Sequence, residues 1–72
     1  MRKYYIGIER LTGDYVGFGA TEEPTAEEYG PLYTAVIGPF VTRRAQLWAV
    51  KYGKNNPHFQ HVNDAERLSK QD

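Results

Sequence analysis

The fold is decided by MRKYYIGIERLTGDYVGFGA, residues 1–20. Apolar and polar side chains alternate in both halves of this stretch, and Gly13 lies between them, which predicts two strands joined as a β-hairpin. We expect a three-residue loop at 11–13 with Gly13 at positive φ. A two-residue turn is less favourable because it would require positive φ at Thr12.

This loop predicts which side chains share a face of the sheet. It pairs Ile8 with Val16 and Ile6 with Phe18, whereas the two-residue turn would place Ile6 opposite Gly19. The face toward the core is then predicted to carry Tyr4, Ile6, Ile8, Val16 and Phe18. The opposite face is predicted to carry Tyr5, Gly7, Glu9, Tyr15, Gly17 and Gly19.

The glycines of the second face allow two interpretations. Tyr5 and Tyr15 can lie across the glycines of the neighbouring strand and cover the bare backbone, which requires no ligand. Alternatively, the glycines leave a flat surface that a partner approaches closely, with Tyr5 and Tyr15 as contact residues. We prefer the first interpretation and keep both tyrosines as partner-binding candidates.

The rest of the chain predicts one further strand and three helical segments. Residues 33–40, YTAVIGPF, are apolar on both faces and predict a third strand. Thr42 is a good N-cap for the main helix, which Gly53 is expected to end in the left-handed conformation. A short helical turn after Thr25 and a C-terminal helix after Asn63 complete the elements.

The 72 residues are enough for one small domain. We predict a single α+β domain over 1–72, with a three-stranded antiparallel sheet that starts with the hairpin, one main helix packed on one face and a short C-terminal helix. The chain has no cysteine, so neither disulfides nor thiolate-bound zinc stabilise it. Three Phe, six Tyr and one Trp supply most of the large apolar area.

Charge and hydropathy limit the location and the partners. No stretch has the length and apolarity of a membrane helix or a signal peptide, which predicts a cytosolic protein with no membrane partner. The net charge of zero argues against a dedicated polyanion binder. The charges are nevertheless uneven, because residues 29–63 contain Arg and Lys but no Asp or Glu.

The main helix has two apolar sides. A core stripe is predicted at a spacing of three and four residues: Ala45, Trp48, Ala49 and Tyr52. At 100° per residue, Arg43, Leu47 and Val50 lie on the far side. Either the C-terminal segment covers that side, or it binds a partner or forms a homodimer. The predicted partner-binding residues are Arg43, Leu47, Val50, Tyr5 and Tyr15.

The sequence favours no enzymatic mechanism. The only serine, Ser69, lies in the terminal helix, and the glycines lie in strands and turns instead of a phosphate-binding loop. His58, His61 and Asp64 are three residues apart, but Pro57 predicts an extended loop, in which this spacing does not converge on a metal. We expect no catalytic residue, metal or cofactor.

Nucleic-acid binding is the alternative function. The basic residues that would contact nucleic acid are Arg43, Arg44, Lys51, Lys54 and His58. Trp48 or Tyr52 would stack on bases. The same cations are equally typical of the solvated flanks of an amphipathic helix.

Several segments together resemble a group of short uncharacterised proteins from bacteriophages and prophages. These segments are IGPF at 37–40, TR at 42–43, KYGKNNPH at 51–58 and DAERL at 64–68. The resemblance covers residues 33–69 and implies a phage origin but no activity. Such a protein is similar in size and style to inhibitors of host defence such as anti-CRISPR proteins. The resemblance therefore implies a protein that acts in the cytoplasm of the bacterial host and binds a host protein or protein complex.

Overall fold

The computed structural model describes residues 2–71. Its elements are β1 (Lys3–Glu9), β2 (Tyr15–Ala20), α1 (Ala26–Tyr29), β3 (Tyr33–Phe40), α2 (Arg43–Tyr52) and α3 (Val62–Ser69). The strands form one antiparallel sheet in the order β2-β1-β3. The predicted α+β class, with its opening hairpin, main helix and short C-terminal helix, is confirmed. Within the described part of the chain, no helix has the length and apolarity that a bilayer crossing requires.

The hairpin loop has four residues, so the predicted three-residue loop is wrong. The amide of Glu9 donates to the carbonyl of Asp14 over 2.9 Å, and the amide of Gly13 donates to the carbonyl of Glu9 over 2.8 Å. The loop therefore spans 10–13. Gly13 has the predicted positive φ, at 74°.

The longer loop shifts the register by one residue. Ile6 pairs with Gly17 and not with the predicted Phe18, and Ile8 pairs with Tyr15. We call the side that α2 and α3 cover the helix face; it carries Tyr4, Ile6, Ile8, Tyr15, Gly17, Gly19, Ile37 and Phe40. The other side is the aromatic face; it carries Tyr5, Gly7, Val16, Phe18 and Tyr33. Alternation could not determine the register because both faces of β1 are apolar.

The core lies between the helix face and the two helices. Its most buried members are Ile6, Phe40, Ala45, Ala49 and Ala65. Gln46 is also buried, and its amide nitrogen donates to the carbonyls of Tyr5 over 2.7 Å and Phe18 over 3.0 Å. Gly17 permits this approach, because a Cβ there would lie 3.1 Å from Gln46 Nε2. Hydrogen bonds as well as packing therefore hold α2 to the β1–β2 pair.

A stack of aromatic rings covers the middle of the aromatic face. The ring of Phe18 lies between those of Tyr5 and Tyr33, at centroid distances of 5.7 and 5.6 Å. The Tyr33 ring lies over Gly7, where a Cβ would come within 2.6 Å of it. Aromatic cover of strand glycines therefore occurs: Tyr33 covers Gly7, and the ring of Tyr5 lies against Gly38 of β3, whereas Gly17 and Gly19 are covered by Gln46, Val50 and Arg2 and not by the predicted tyrosines.

The first two helices begin at their predicted N-caps. The side chain of Thr42 accepts the amide of Ala45 over 3.1 Å, and Thr25 likewise accepts the amide of Glu28. Gly53 ends α2 in the right-handed conformation, at φ −77°, and not in the predicted left-handed one.

The last helix begins earlier than predicted. The carboxylate of Asp64 accepts the amides of Gln60 and His61, over 3.0 and 3.1 Å. This places the start of α3 at Val62, so the predicted cap, Asn63, lies inside the helix. Asp64, the third residue of α3, therefore fixes the helix start by accepting these two amides.

Candidate functional site

The outward side of α2 differs from the predicted one. Ala49 is buried as expected, but Gln46 is buried too, and Tyr52 is 48% exposed. Val50, predicted to point outward, packs against the core beside Gly17. The side of α2 that carries Gln46 and Val50 faces the sheet, because Gly17 of β2 has no side chain to keep it at a distance.

The two tyrosines predicted to contact a partner do not share an exposed surface. Tyr5 is 1% exposed within the aromatic face, and Tyr15 packs against the core on the helix face. Tyr15 lies on the other face because the register was wrong, whereas Tyr5 lies on its predicted face and is buried there under Phe18, which the wrong register had placed on the opposite side. Of the predicted partner-binding residues, Arg43 and Leu47 remain exposed, Leu47 at 52%.

Arg43 and Leu47 line an open groove of about 510 Å³ between α2 and β2. We call it the β2 groove and define it by Arg2, Gly17, Gly19, Arg43, Leu47 and Val50. The glycines expose backbone along its sheet side. The side chain of Arg2 lies over Gly19, where a Cβ would be 2.5 Å from its Nε atom. Arg2 was not predicted as a site residue, because it comes next to this groove only when β1 pairs with β2.

The β2 groove is positively charged. Its lining contains the guanidinium groups of Arg2 and Arg43, and no carboxylate from residues 2–71. Glu22 and Glu28 share a neighbouring recess with Arg2. Neither arginine takes part in the ion pairs formed within residues 2–71, but Arg2 donates to the carbonyl of Gly19 over 3.5 Å. The groove therefore attracts anionic groups, and Arg43 is the cation with the fewest competing contacts.

One edge of β2 runs along this groove. Glu9 and Asp14 form a hydrogen-bonded pair, and such pairs alternate along an antiparallel ladder. The backbone groups of Tyr15, Gly17 and Gly19 therefore point away from β1, toward the open side of the sheet. The sequence of β2, YVGFGA, has no charged residue and no proline that would protect this edge.

The basic residues predicted to bind nucleic acid do not form one surface. Arg44 pairs with Glu66 of α3 at 3.0 Å, and Lys54 pairs with Asp14 after the hairpin loop at 3.2 Å. These cations are drawn toward opposite parts of the molecule and partly neutralised. Arg43 alone of the predicted set lines the β2 groove.

The remaining members of that set are dispersed as well. Lys51 Nζ lies 5.2 Å from the ring centroid of Tyr52, and His58 is exposed in the loop after α2. Trp48, a predicted stacking residue, packs instead against Tyr52 and Phe59 at centroid distances of 5.9 and 6.0 Å. The aromatic rings near these cations thus serve the packing between α2 and the segment before α3.

Glu66 connects the two long helices. Its carboxylate accepts the hydroxyl of Thr42 over 2.8 Å and pairs with Arg44 and Lys70 at 3.0 and 3.4 Å. The hydrogen bond from Thr42, helped by the two cations, holds the pKa of Glu66 below its ordinary value. This contact places the start of α2, and with it Arg43, relative to α3.

The histidine-rich loop is organised around a helix start. Asp64 accepts the amides of Gln60 and His61 and pairs with Arg67 at 3.1 Å, and these contacts lower the pKa of Asp64. Among residues 2–71, no three His, Asp or Glu side chains are arranged to hold a metal ion.

A second apolar patch lies beside the aromatic face. Leu11, Val16 and Leu32 are 92%, 36% and 64% exposed and line a shallow recess with Arg10. The Arg10 guanidinium is already engaged, because it donates to the carbonyl of Gly30 over 2.6 and 2.9 Å. The other charged side chain of this recess is the acidic Glu9, so the patch lacks the free cation that distinguishes the β2 groove.

Comparison of the chain with protein-family models, with curated proteins and with solved structures gave no match. The β2 groove, with its two arginines and exposed strand edge, is the feature of the molecule best suited to binding.

Proposed function

We propose that this chain is a non-catalytic protein-binding module whose contact surface is the β2 groove. The observation that carries the proposal is the combination of Arg43, free of ion pairs within residues 2–71, with the half-exposed Leu47 beside an unprotected strand edge. Arginine and large apolar side chains are typical of the residues that dominate protein interfaces. A strand edge adds backbone groups to which a partner can hydrogen-bond.

The shape of the molecule supports a macromolecular partner. The fold measures only 15 Å in its thinnest direction, and the β2 groove is open along the strand. Ligand sites for small molecules usually bury most of the ligand in a concave pocket. A groove of this form suits a segment of a larger partner that lies along it.

The resemblance to short phage proteins supports a partner from the host. We propose that the chain acts in the bacterial cytoplasm on a host protein or protein complex, such as a defence complex, and inhibits it by occupying a surface. Protein is preferred over nucleic acid as the partner because Arg44 and Lys54 are committed to ion pairs with Glu66 and Asp14.

The first test is a quantitative pull-down from a bacterial host extract. The groove variant, Arg43→Ala with Leu47→Ala, removes both exposed side chains while keeping good helix formers. The control variant, Lys51→Ala with Leu11→Ala, removes the same types of side chain elsewhere on the surface. We expect wild type and control to recover the same partner, and the groove variant to recover at least about tenfold less.

Two results would contradict the proposal. One is a partner that the groove variant recovers as well as wild type does. The other is a mobility shift with DNA or RNA that weakens steeply between low and high salt and is lost in the groove variant, because salt-sensitive binding of this kind indicates phosphate contacts.

A further inference from the structure

We infer that the partner adds a strand to the open edge of β2 and places acidic side chains in the β2 groove. The inference rests on the proposed function and specifies the chemistry of the partner: an extended peptide segment of another protein in which acidic and apolar residues alternate. Backbone geometry, side-chain direction and charge each support a part of it.

Backbone geometry supports strand addition. Tyr15, Gly17 and Gly19 direct their N–H and C=O groups away from β1, at the regular two-residue spacing of a strand. An added antiparallel strand would exchange hydrogen bonds with Tyr15 and Gly17, and at Gly19 it would displace the bond that Arg2 Nη2 donates to the carbonyl over 3.5 Å. No shift interrupts the pairing of β2 with β1, so the edge is straight enough to accept a partner over its length.

Side-chain direction determines what the added strand must carry. A residue directly opposite Gly17 or Gly19 has its side chain on the same face as those glycines, which is the helix face. Gln46 and Val50 lie against Gly17 and the Arg2 side chain lies over Gly19, so the open space is the groove beside the strand, which the Arg2 and Arg43 guanidinium groups border. Carboxylates are the side chains that form charge-assisted hydrogen bonds with guanidinium groups. Residues opposite the glycines should therefore be Glu or Asp.

The intervening residues of the added strand meet a different surface. They lie opposite Val16 and Phe18, on the aromatic face, where Val16 is 36% exposed. An apolar, β-branched side chain there would cover Val16 and extend the cross-strand packing. The predicted recognition pattern is therefore an alternation of acidic and β-branched residues.

Charge disfavours a second copy of this chain as the occupant. Two β2 strands paired antiparallel would place both helix faces on the same side of a continuous sheet. Arg2 and Arg43 of both copies would then gather along one seam, and no carboxylate among residues 2–71 lines that groove. Like charges along a shared seam oppose association.

The test uses blocked peptides with the full chain, observed by NMR of the ¹⁵N-labelled protein. The probe is acetyl-Thr-Val-Glu-Val-Glu-Val-Thr-amide, and the matched control has Lys in place of both Glu residues. We expect only the Glu peptide to shift the resonances of the β2 groove. Its binding should slow hydrogen exchange at the amides of Tyr15, Gly17 and Gly19.

A charge reversal gives the sharper comparison. Arg43→Glu should weaken binding of the Glu peptide about tenfold and make the Lys peptide the better ligand. Arg43 is the first residue of α2, where an acidic side chain is compatible with the helix, so the variant should fold. Lys51→Glu makes the same change in net charge elsewhere on α2 and should leave the peptide preference unchanged.

Each other outcome would overturn the inference. Binding of the Glu peptide without protection of the three amides would show an acidic ligand that adds no strand, which leaves the proposed function intact. Equal binding of both peptides would show that the arginines do not select acidic side chains. Binding of neither peptide would show that the β2 edge accepts no added strand. Protection of the same amides by the protein alone at rising concentration, or stronger protection by an oligothymidine, would assign the edge to a second copy or to nucleic acid. Failure of the proposed function itself is read separately, from the pull-down with the Ala variants.

Discussion

The two edges of the sheet are built differently. The outer strand β3 is irregular, because its pairing with β1 shifts between Tyr4 and Ile6, where Gly38 and Pro39 lie in the strand. Pro39 also has no amide hydrogen to offer a new strand. The outer strand β2 pairs without a shift and has neither proline nor charge. One edge is thus protected against strand addition and the other is not, although both belong to a sheet of three strands.

Neighbouring elements increase the contrast. Arg10, in the hairpin loop, donates from its backbone to the carbonyl of Leu32 and from its side chain to those of Gly30 and Tyr33. These bonds hold the start of β3 to the hairpin. On the other side, Gln46 and Val50 lie against Gly17 and Arg2 lies against Gly19, and the groove that these side chains border with Arg43 is open. The open edge is therefore a local property of β2, which is the physical basis for placing the contact surface there.

The largest effect is expected from Gly38→Ala, which changes the protected edge. Gly38 has φ +141°, and a Cβ there would lie 2.7 Å from Tyr5 Cδ1 and 3.0 Å from the Tyr4 carbonyl oxygen. Backbone strain and overpacking together should lower the free energy of unfolding by about 2–4 kcal/mol, measured by urea denaturation. Gly13→Ala is the matched control. Its φ is also positive but nothing lies within 4 Å, so it should cost only about 1 kcal/mol.

Equal losses in the two glycine variants would contradict this account of β3. They would mean that the close contact between Gly38 and the β1 backbone has relaxed in solution. The irregularity of β3 could then no longer be attributed to that contact.

A smaller effect is expected from Gln46→Met, which acts on the open edge. The substitution keeps the length of the side chain but removes the donor to the carbonyls of Tyr5 and Phe18. We expect the free energy of unfolding to fall by about 1–2 kcal/mol. Amide exchange should accelerate more in β2 than in β3, because Gln46 holds α2 over the β1–β2 pair. The exposed Gln60→Met is the control. Uniform acceleration across the sheet would show that Gln46 has no particular role at β2.

The sequence predicted the elements well because their signals are local. Thr42 and Thr25 are hydrogen-bonding caps whose position determines where a helix begins, and the short apolar run at 33–40, with its β-branched and aromatic residues and a Gly-Pro pair near its end, favours a strand. Gly13 was correctly assigned positive φ for the same reason. In each case the residues that determine the structure are neighbours in the chain.

The register and the β2 groove were not predictable in this way. The register depends on whether Phe18 joins Ile6 or stacks with Tyr5 and Tyr33, and both choices bury apolar area. The error of one residue placed every side chain of β2 on the wrong face of the sheet. Gly17 and Gly19 therefore lie on the helix face, and Val16 and Phe18 lie on the aromatic face. The groove depends on Arg2 and Arg43, which meet only after the sheet and α2 have assembled. The sequence of β2, six residues without charge or proline, indicated that this strand could be an exposed edge. It did not indicate that Arg2 and Arg43 lie beside that edge.

The smallest effect is expected from Glu66→Gln, which changes the pH dependence of stability. Glu66 helps to position α2, the helix that borders the β2 groove. Glu66 holds α2 to α3 through Thr42 and Arg44, and these contacts lower its pKa. A carboxyl whose pKa is lower in the folded state stabilises the fold above its unfolded pKa, about 4.3 for glutamate, and this contribution is lost as the pH falls through the folded value. Glu66→Gln should therefore reduce stability near neutral pH and make the loss on acidification shallower. Asp14 and Asp64, whose pKa values are also lowered, retain the rest of the pH dependence.

Thermal unfolding between pH 7 and about 3 measures both the loss of stability near neutral pH and the shallower loss on acidification. The exposed Glu23→Gln is the control, and an equal pH profile in the two variants would mean that Glu66 does not position α2 beside β2.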